Sequence, residues 1–164
     1  MSNSQLHEDP NRTTPIGMAR YAADFFEAAL AADDKMGTKK GYEITAPIPV
    51  MFLVGQSIEL ILKAYLLHKG VSLRKLRQKY GHDLHRSLRK SKELGLLDIV
   101  DLTDEDQGVI ELLDTLYSSK QLQYIVSGTK TFPVFGPLEA ACKKLIATVG
   151  PEVGFLARGA RNAP

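Results

Sequence analysis

Arg77 and His82 are the residues whose types and spacing could carry out chemistry, with four residues between them. An imidazole can act as a general acid or base, and a guanidinium can stabilise the charge that develops on a phosphate when RNA is cleaved without a metal. The alternative is structural, because a histidine at the start of a helix can bond a neighbouring carbonyl or the Glu59 carboxylate. The spacing therefore predicts either a cleavage pair or a helix start.

The segment around this pair is strongly basic. Residues 69–92 contain nine Lys or Arg residues and one acid, Asp83, which gives them a charge of +8; because the whole chain carries +2, the remainder carries −6. Such a segment attracts phosphates and steers anionic partners, unless it is only a solvated pair of helices. Aromatic residues do not interleave with the basic ones, which disfavours stacking on single-stranded bases. We call residues 69–92 the basic segment.

His82 and His85 form a His-x-x-His pair, whose side chains can share a metal on one face of a helix. The local sequence offers no third ligand except Asp83, which would point away from the pair if it caps the helix. The chain also lacks a phosphate-binding glycine loop, a Gly-x-Ser-x-Gly motif and a dinucleotide fingerprint. We therefore predict no metal site and no cofactor, and interpret the pair as ordinary surface histidines.

A central helix must position these residues. Residues 50–67 are apolar around nearly the whole helix circumference, as in a helix that is packed on several sides. The exceptions Gln56, Glu59 and Lys63 are spaced three and four apart and form one narrow polar stripe. The stripe is either a buried ion pair that fixes the packing register or part of a polar pocket that His82 and Tyr124 also line.

The rest of the chain shows further helical patterns and no clear strand. Capping and periodicity predict helices over residues 15–36, 72–80, 83–95, 103–117 and 138–149, with residues 118–137 as a loop. These elements predict an all-α, antiparallel up-and-down bundle of five or six helices. We expect a mobile leader over residues 1–13, the helical domain over residues 14–150 and a loosely held tail over residues 151–164.

Size and composition describe an ordinary globular domain. The chain has 164 residues, 44% of them hydrophobic and 24% charged, and Cys142 is the only cysteine. No intramolecular disulfide or cysteine-rich metal site can form, and we expect a cytoplasmic location. Pro47, Pro49, Glu59 and Lys63 interrupt the most apolar window, so we predict no membrane span.

Several motifs resemble those of prokaryotic HEPN-domain proteins, and the likeness extends over about residues 46–144. They are Gln56-Ser57-Ile58-Glu59-Leu60-x-Leu62-Lys63-Ala64-Tyr65-Leu66, then Lys69-Gly70, then Tyr80-Gly81-His82-Asp83-Leu84, and Tyr117-x-x-Lys120-x-x-Gln123-Tyr124. The resemblance implies a helical bundle that often forms a homodimer, found in toxin-antitoxin, phage-defence and nucleotidyltransferase-associated systems. Active members are metal-independent RNases with an arginine, four to six residues and a histidine, which Arg77 and His82 match.

Two departures bear on activity. Gln78 follows Arg77 where active members usually carry Asn, Asp or His, and Gln123 stands where related sequences often have an arginine. Both favour a binding or interaction module for RNA or nucleotides over a nuclease. The alternatives are an endoribonuclease that uses Arg77 and His82, and a structural partner of a cognate protein without a nucleic-acid role. The candidate binding residues are Glu59, Lys63, Arg74, Asp83, His85, Arg86, Lys120 and Tyr124.

Overall fold

The computed structural model describes residues 8–156, and this part of the chain is helical without a strand. The α-helices are α1 (Pro15–Met36), α2 (Ile48–His68), α3 (Leu73–Lys75), α4 (Leu84–Glu93), α5 (Asp104–Tyr117) and α6 (Phe135–Glu152). A π-helical turn (Leu76–Tyr80) continues α3, and a short 3-10 turn (Leu96–Asp98) follows α4. The prediction of an all-α protein is confirmed.

Helix α2 lies at the centre and contacts α1, α4, α5 and α6. Ten of its side chains are fully shielded from solvent, which explains its apolar circumference: Val50, Met51, Val54, Ser57, Ile58, Ile61, Leu62, Ala64, Tyr65 and Leu66. By length and composition α2 could cross a membrane, the one such helix among residues 8–156, but 67% of that stretch is buried inside the fold. The predicted central helix is confirmed.

Local signals in the sequence start most of the helices. The side chains of Thr14, Ser72 and Asp83 accept hydrogen bonds from backbone N–H groups in the first turns of α1, α3 and α4. Thr103 and Asp106 form a reciprocal capping box at the start of α5. These four predicted starts are confirmed, because each depends on residues at most three positions apart.

The π-helical turn was not predicted. Gly81 donates its N–H to the Leu76 carbonyl, five residues earlier, and its φ of 47° lies in the left-handed region that favours glycine. The turn keeps Leu76 and Tyr80 buried, while Arg77 between them remains exposed. Such turns occur often at functional sites.

Helix α6 differs from its predicted bounds at both ends. It begins at Phe135, because Pro137 lies in the first turn, where backbone N–H groups need no partner within the helix. It continues through Pro151 to Glu152, three residues beyond the predicted end at residue 149, and Val153 is buried. The first part of the predicted leader, residues 1–7, and the last part of the predicted tail, residues 157–164, lie outside the described residues.

Candidate functional site

A carboxylate buried on α2 is the centre of the candidate site. Glu59 is 4% exposed, and Lys63 Nζ lies 2.6 Å from its Oε1. Its other oxygen, Oε2, lies 2.6 Å from the Tyr117 hydroxyl of α5 and 2.9 Å from His82 Nδ1. The predicted polar stripe therefore does find partners on other elements. We call Gln56, Glu59, Lys63, His82 and Tyr117 the Glu59 cluster.

Tyr117 supplies a permanent hydrogen-bond donor to this cluster. Burial, reinforced by the negative charge of Glu59, raises the pKa of Tyr117 far above its ordinary value, so the hydroxyl keeps its proton. The Gln56 side-chain oxygen lies 2.7 Å from the same hydroxyl. One proton cannot satisfy both acceptors at once, and the Glu59 carboxylate is the stronger acceptor.

His82 connects the buried carboxylate to the surface. Its side chain is 60% exposed, and its ring meets the Tyr117 ring edge to face at 6.5 Å between centroids. Because an ionised carboxylate only accepts hydrogen bonds, Glu59 selects the state of the ring that carries a proton on Nδ1. Nε2 is then the nitrogen of His82 that can exchange a proton with a ligand. The contact with Glu59 that we considered for a helix-start histidine does form.

Gly55 makes room for Tyr117 against α2. A Cβ atom at this position would lie 2.4 Å from Cδ2 of the Tyr117 ring, far inside contact distance. Phe52, three residues earlier on α2, packs against the same ring at 5.9 Å between centroids. Sequence reasoning missed both Gly55 and the role of Tyr117. The available signal was a glycine inside an otherwise apolar helix, which often marks a close approach.

Beside His82 a cleft of about 730 Å³ opens between α1, α2, α3 and the residues that precede α1. Arg77 and His82 both line it, so the structure brings the predicted catalytic pair to one cleft. Arg77 is half-exposed and forms an ion pair with the Glu8 carboxylate, which precedes α1. The other lining residues are Arg12, Thr13, Thr14, Gly17, Met18, Tyr21, Leu60, Lys63, Leu73, Leu76 and Gly81.

The remaining candidates in the basic segment lie outside this cleft. Asp83 caps α4 and lies 3.5 Å from Arg86, so the structure gives it a helix-start role. His85 faces Glu111 at 3.3 Å, whereas His82 faces Glu59, so the two histidines have different partners. Arg74 is exposed. No group of three or more His, Cys, Asp or Glu side chains that could hold a metal occurs in residues 8–156.

Lys120 and Tyr124 are placed apart from the Glu59 cluster. Lys120 has a φ of 62° and follows α5, where the N–H of Gln121 bonds the Leu116 carbonyl, a helix-ending arrangement. Tyr124 is 67% exposed and lines a second cleft, of about 430 Å³, with Ile48 and Ile125. The position that we considered for Tyr124, beside Glu59 and His82, is occupied by Tyr117.

Two further buried carboxylates cap helices. Asp114 of α5 accepts the N–H of Leu84 at 2.8 Å, and burial raises its pKa although the N–H groups of Leu84 and His85 partly oppose this. Asp106 is bonded by Lys144 Nζ at 2.6 Å. Burial acts to raise the pKa of Asp106, but hydrogen bonds from Lys144 and Thr103 outweigh it and leave the pKa lowered.

The single cysteine is an inert core residue. Cys142 is fully buried on α6, and burial raises the pKa of its thiol to about 12. A thiol that stays protonated at neutral pH is a poor nucleophile, so the candidate chemistry rests on the Glu59 cluster and the cleft.

No family model, curated protein or solved structure matches the chain. The function therefore has to be argued from the geometry just described.

Proposed function

We propose that this chain is an HEPN-like helical module that binds RNA through the exposed cationic face of the basic segment. The observation that carries the proposal is a direct link between the two halves of that segment. Arg86 of α4 donates a hydrogen bond from Nη1 to the carbonyl of Lys79, in the π-helical turn, at 2.8 Å. This bond holds the π-helical turn against the start of α4, so the cationic residues of the two halves lie on neighbouring elements.

Several charges on this surface are available to phosphates. Within residues 8–156, no carboxylate lies within 4 Å of the four exposed side chains Arg74, Lys75, Lys79 and Arg89. Others are partly neutralised from outside the segment, since Lys69 faces Glu152 and Lys90 faces Glu93. The electrostatic field of the segment is thus weaker than the count of +8 suggests, but these four side chains keep their positive charge exposed to solvent.

Salt dependence tests this proposal. Phosphate contacts release counterions, so the affinity for a short single-stranded RNA should fall steeply as salt rises. Arg74→Gln and Arg89→Gln should each weaken binding and reduce the slope of log affinity against log salt by about 0.7, the effect of one lost phosphate contact. The control is Arg20→Gln on α1, which removes an exposed arginine outside the segment and should change neither quantity. Binding that ignores salt, or no binding at low salt, would refute the proposal.

A metal-independent endoribonuclease is the second candidate, because His82 and Arg77 line one cleft and Glu59 orients the histidine. In this reaction His82 Nε2 would accept the proton of a ribose 2′-hydroxyl as its oxygen attacks the adjacent phosphorus. Arg77 would stabilise the negative charge that builds up on the phosphate, and the 5′-oxygen would leave with a proton from water as a 2′,3′-cyclic phosphate forms. The Glu59 carboxylate would stabilise the resulting imidazolium.

Cleavage assays separate the two candidates. RNA is incubated with the protein in excess chelator, beside His82→Ala and Arg77→Ala, and a nuclease should lose activity about a hundredfold or more in each variant. His85→Ala is the matched control, since this histidine is also half-exposed but faces Glu111 outside the cleft. Activity that survives both test variants, or that is absent throughout, rejects the nuclease and leaves the binding module.

A further inference from the structure

The cleft beside His82 has the size and lining of a small-molecule site. Its volume of about 730 Å³ is within the range of pockets that enclose small organic ligands. Five of its side chains supply apolar or aromatic surface, and they come from α1, α2, α3 and the π-helical turn: Met18, Tyr21, Leu60, Leu73 and Leu76. An extended RNA backbone would leave this surface unused, so the cleft suits a different ligand from the cationic face.

The charged groups of the cleft are all cationic. They are Arg12, Lys63 and Arg77, and no Asp or Glu is among the lining residues in the described part of the chain. Glu59 already neutralises Lys63 from behind. Arg12 is exposed, and no carboxylate lies within 4 Å of it in residues 8–156. Arg12 and Arg77 are therefore the groups that can receive a ligand's negative charge.

The protein itself shows that Arg77 accepts a carboxylate. Glu8, seven residues before α1, is only 21% exposed at its side chain and pairs with the Arg77 guanidinium through Nε. A ligand anion at the cleft would compete with Glu8 for this guanidinium or share it.

We propose that the cleft binds a small organic anion, with an apolar body against Met18, Leu60 and Leu76 and its carboxylate or phosphate on Arg77. Glu8 acts as an internal competitor that lowers the affinity until the ligand is abundant. This site goes beyond RNA binding by the basic segment, because it takes a small ligand whose apolar body packs inside the cleft, not a phosphate backbone on the cationic face.

Fluorescence displacement tests the site. The probe 8-anilinonaphthalene-1-sulfonate, an aromatic anion, is titrated onto the full chain and then displaced with octanoate or octyl phosphate. Either compound should displace it, and their relative potency shows whether the head group is a carboxylate or a phosphate. Inorganic phosphate, which has no apolar body, should fail at the same concentration. If neither octanoate nor octyl phosphate displaces the probe, the proposal is overturned.

Charge variants identify the anion-binding residue. Arg77→Gln should weaken the binding of octanoate and octyl phosphate about tenfold or more, the usual effect of losing a charge-assisted hydrogen bond. Arg74→Gln, at an exposed position outside the cleft, should leave this binding unchanged. Glu8→Gln should tighten binding about twofold to fivefold, since it removes a competing ion pair, whereas Asp9→Asn should have no effect. Equal affinities in Arg77→Gln and Arg74→Gln would overturn the site.

Blocking variants locate the probe. Met18→Trp places a larger side chain in the cleft and should abolish displaceable binding without changing RNA affinity. Ile125→Ser alters the second cleft and should leave probe binding intact. If Ile125→Ser removes the binding and Met18→Trp does not, the assignment is wrong. Should Met18→Trp fail to fold, the pair Arg77→Gln and Arg74→Gln still decides, because both positions are exposed.

Discussion

The buried carboxylates lie in two kinds of region that differ in what their oxygens accept. Asp106 and Asp114 accept hydrogen bonds from backbone N–H groups, of Thr103 and Leu84 respectively, at the starts of α5 and α4. Glu59 lies in the middle of α2, and its recorded partners are the side chains of three residues. Asp106 and Asp114 thus bond backbone N–H groups, which every helix start leaves unpaired. Glu59 bonds only side chains that belong to its own cluster.

This difference separates carboxylates that the fold requires from a carboxylate that is a candidate for function. A helix start without its cap leaves backbone donors unpaired, so Asp106 and Asp114 have a sufficient reason in the fold. The Glu59 cluster has no such reason, because apolar residues of similar volume often replace a buried ion pair without loss of stability. Its distinctive result is an exposed imidazole held in one orientation beside a cleft.

The largest expected effect tests this argument at Glu59 itself. Glu59→Ala should destabilise the fold by about 3–5 kcal/mol, because it leaves the Lys63 charge and the Tyr117 hydroxyl without their partner. Replacing the group together, as Glu59→Met, Lys63→Met and Tyr117→Phe, should cost less than about 1.5 kcal/mol. Urea denaturation measures both. A triple variant as unstable as Glu59→Ala would show that the cluster is required by the fold.

Gly55 offers a second test, directed at how Tyr117 reaches the cluster. Gly55→Ala should destabilise by about 1–3 kcal/mol, because the added methyl group meets the Tyr117 ring. Gly108→Ala on α5 is the matched control, since nothing lies within 4 Å of its added Cβ, and it should stabilise by about 0.5–1 kcal/mol. A change in the free energy of unfolding with the same sign at both positions would contradict the close packing of Tyr117 against Gly55.

The capping region can be tested with a matched pair at Asp114. Asp114→Ala removes the acceptor of the Leu84 N–H and should cost about 1–2 kcal/mol. Asp114→Asn keeps an oxygen acceptor and should be neutral or stabilising at pH 7, because burial disfavours the charged form of Asp114. Equal losses in the two variants, measured by urea denaturation, would show that the charge and not the acceptor matters.

The smallest effect is a difference in pH dependence between the two capping carboxylates. The folded pKa of Asp114 is raised, so its contribution to stability is fully present below the ordinary value of 3.8 and is lost as pH rises through the folded pKa. The folded pKa of Asp106 is lowered, so its contribution is present above 3.8 and is lost as pH falls through the folded pKa.

Asparagine variants make this difference measurable. The stability of Asp114→Asn relative to the wild type should be greatest near neutral pH and decline as pH falls toward 3.8. The stability of Asp106→Asn relative to the wild type should be lowest near neutral pH. It should rise at lower pH, where the wild type loses its bond with Lys144. Parallel pH profiles for the two variants would contradict the assigned directions.

The contacts that could be predicted from the sequence are those between residues close together along the chain. Thr103 and Asp106 are three positions apart, so their capping box could be recognised from one short pattern. Leu84 and Asp114 are 30 positions apart, and Glu59 and Tyr117 are 58 apart, so nothing local links them. The spacing on α2 showed that Glu59 needs partners, but nothing local pointed to Tyr117 in place of the Tyr124 that we considered.

The buried thiol on α6 can also serve as a built-in probe of local opening of the fold. Cys142 Sγ lies 3.5 Å from Ser57 Oγ of α2, inside the contact between the two helices. A maleimide or disulfide reagent can reach this sulfur only after α6 separates from α2, and only the deprotonated thiol reacts. Because the chain has a single cysteine, the labelling rate of unmodified protein measures how often this one contact opens.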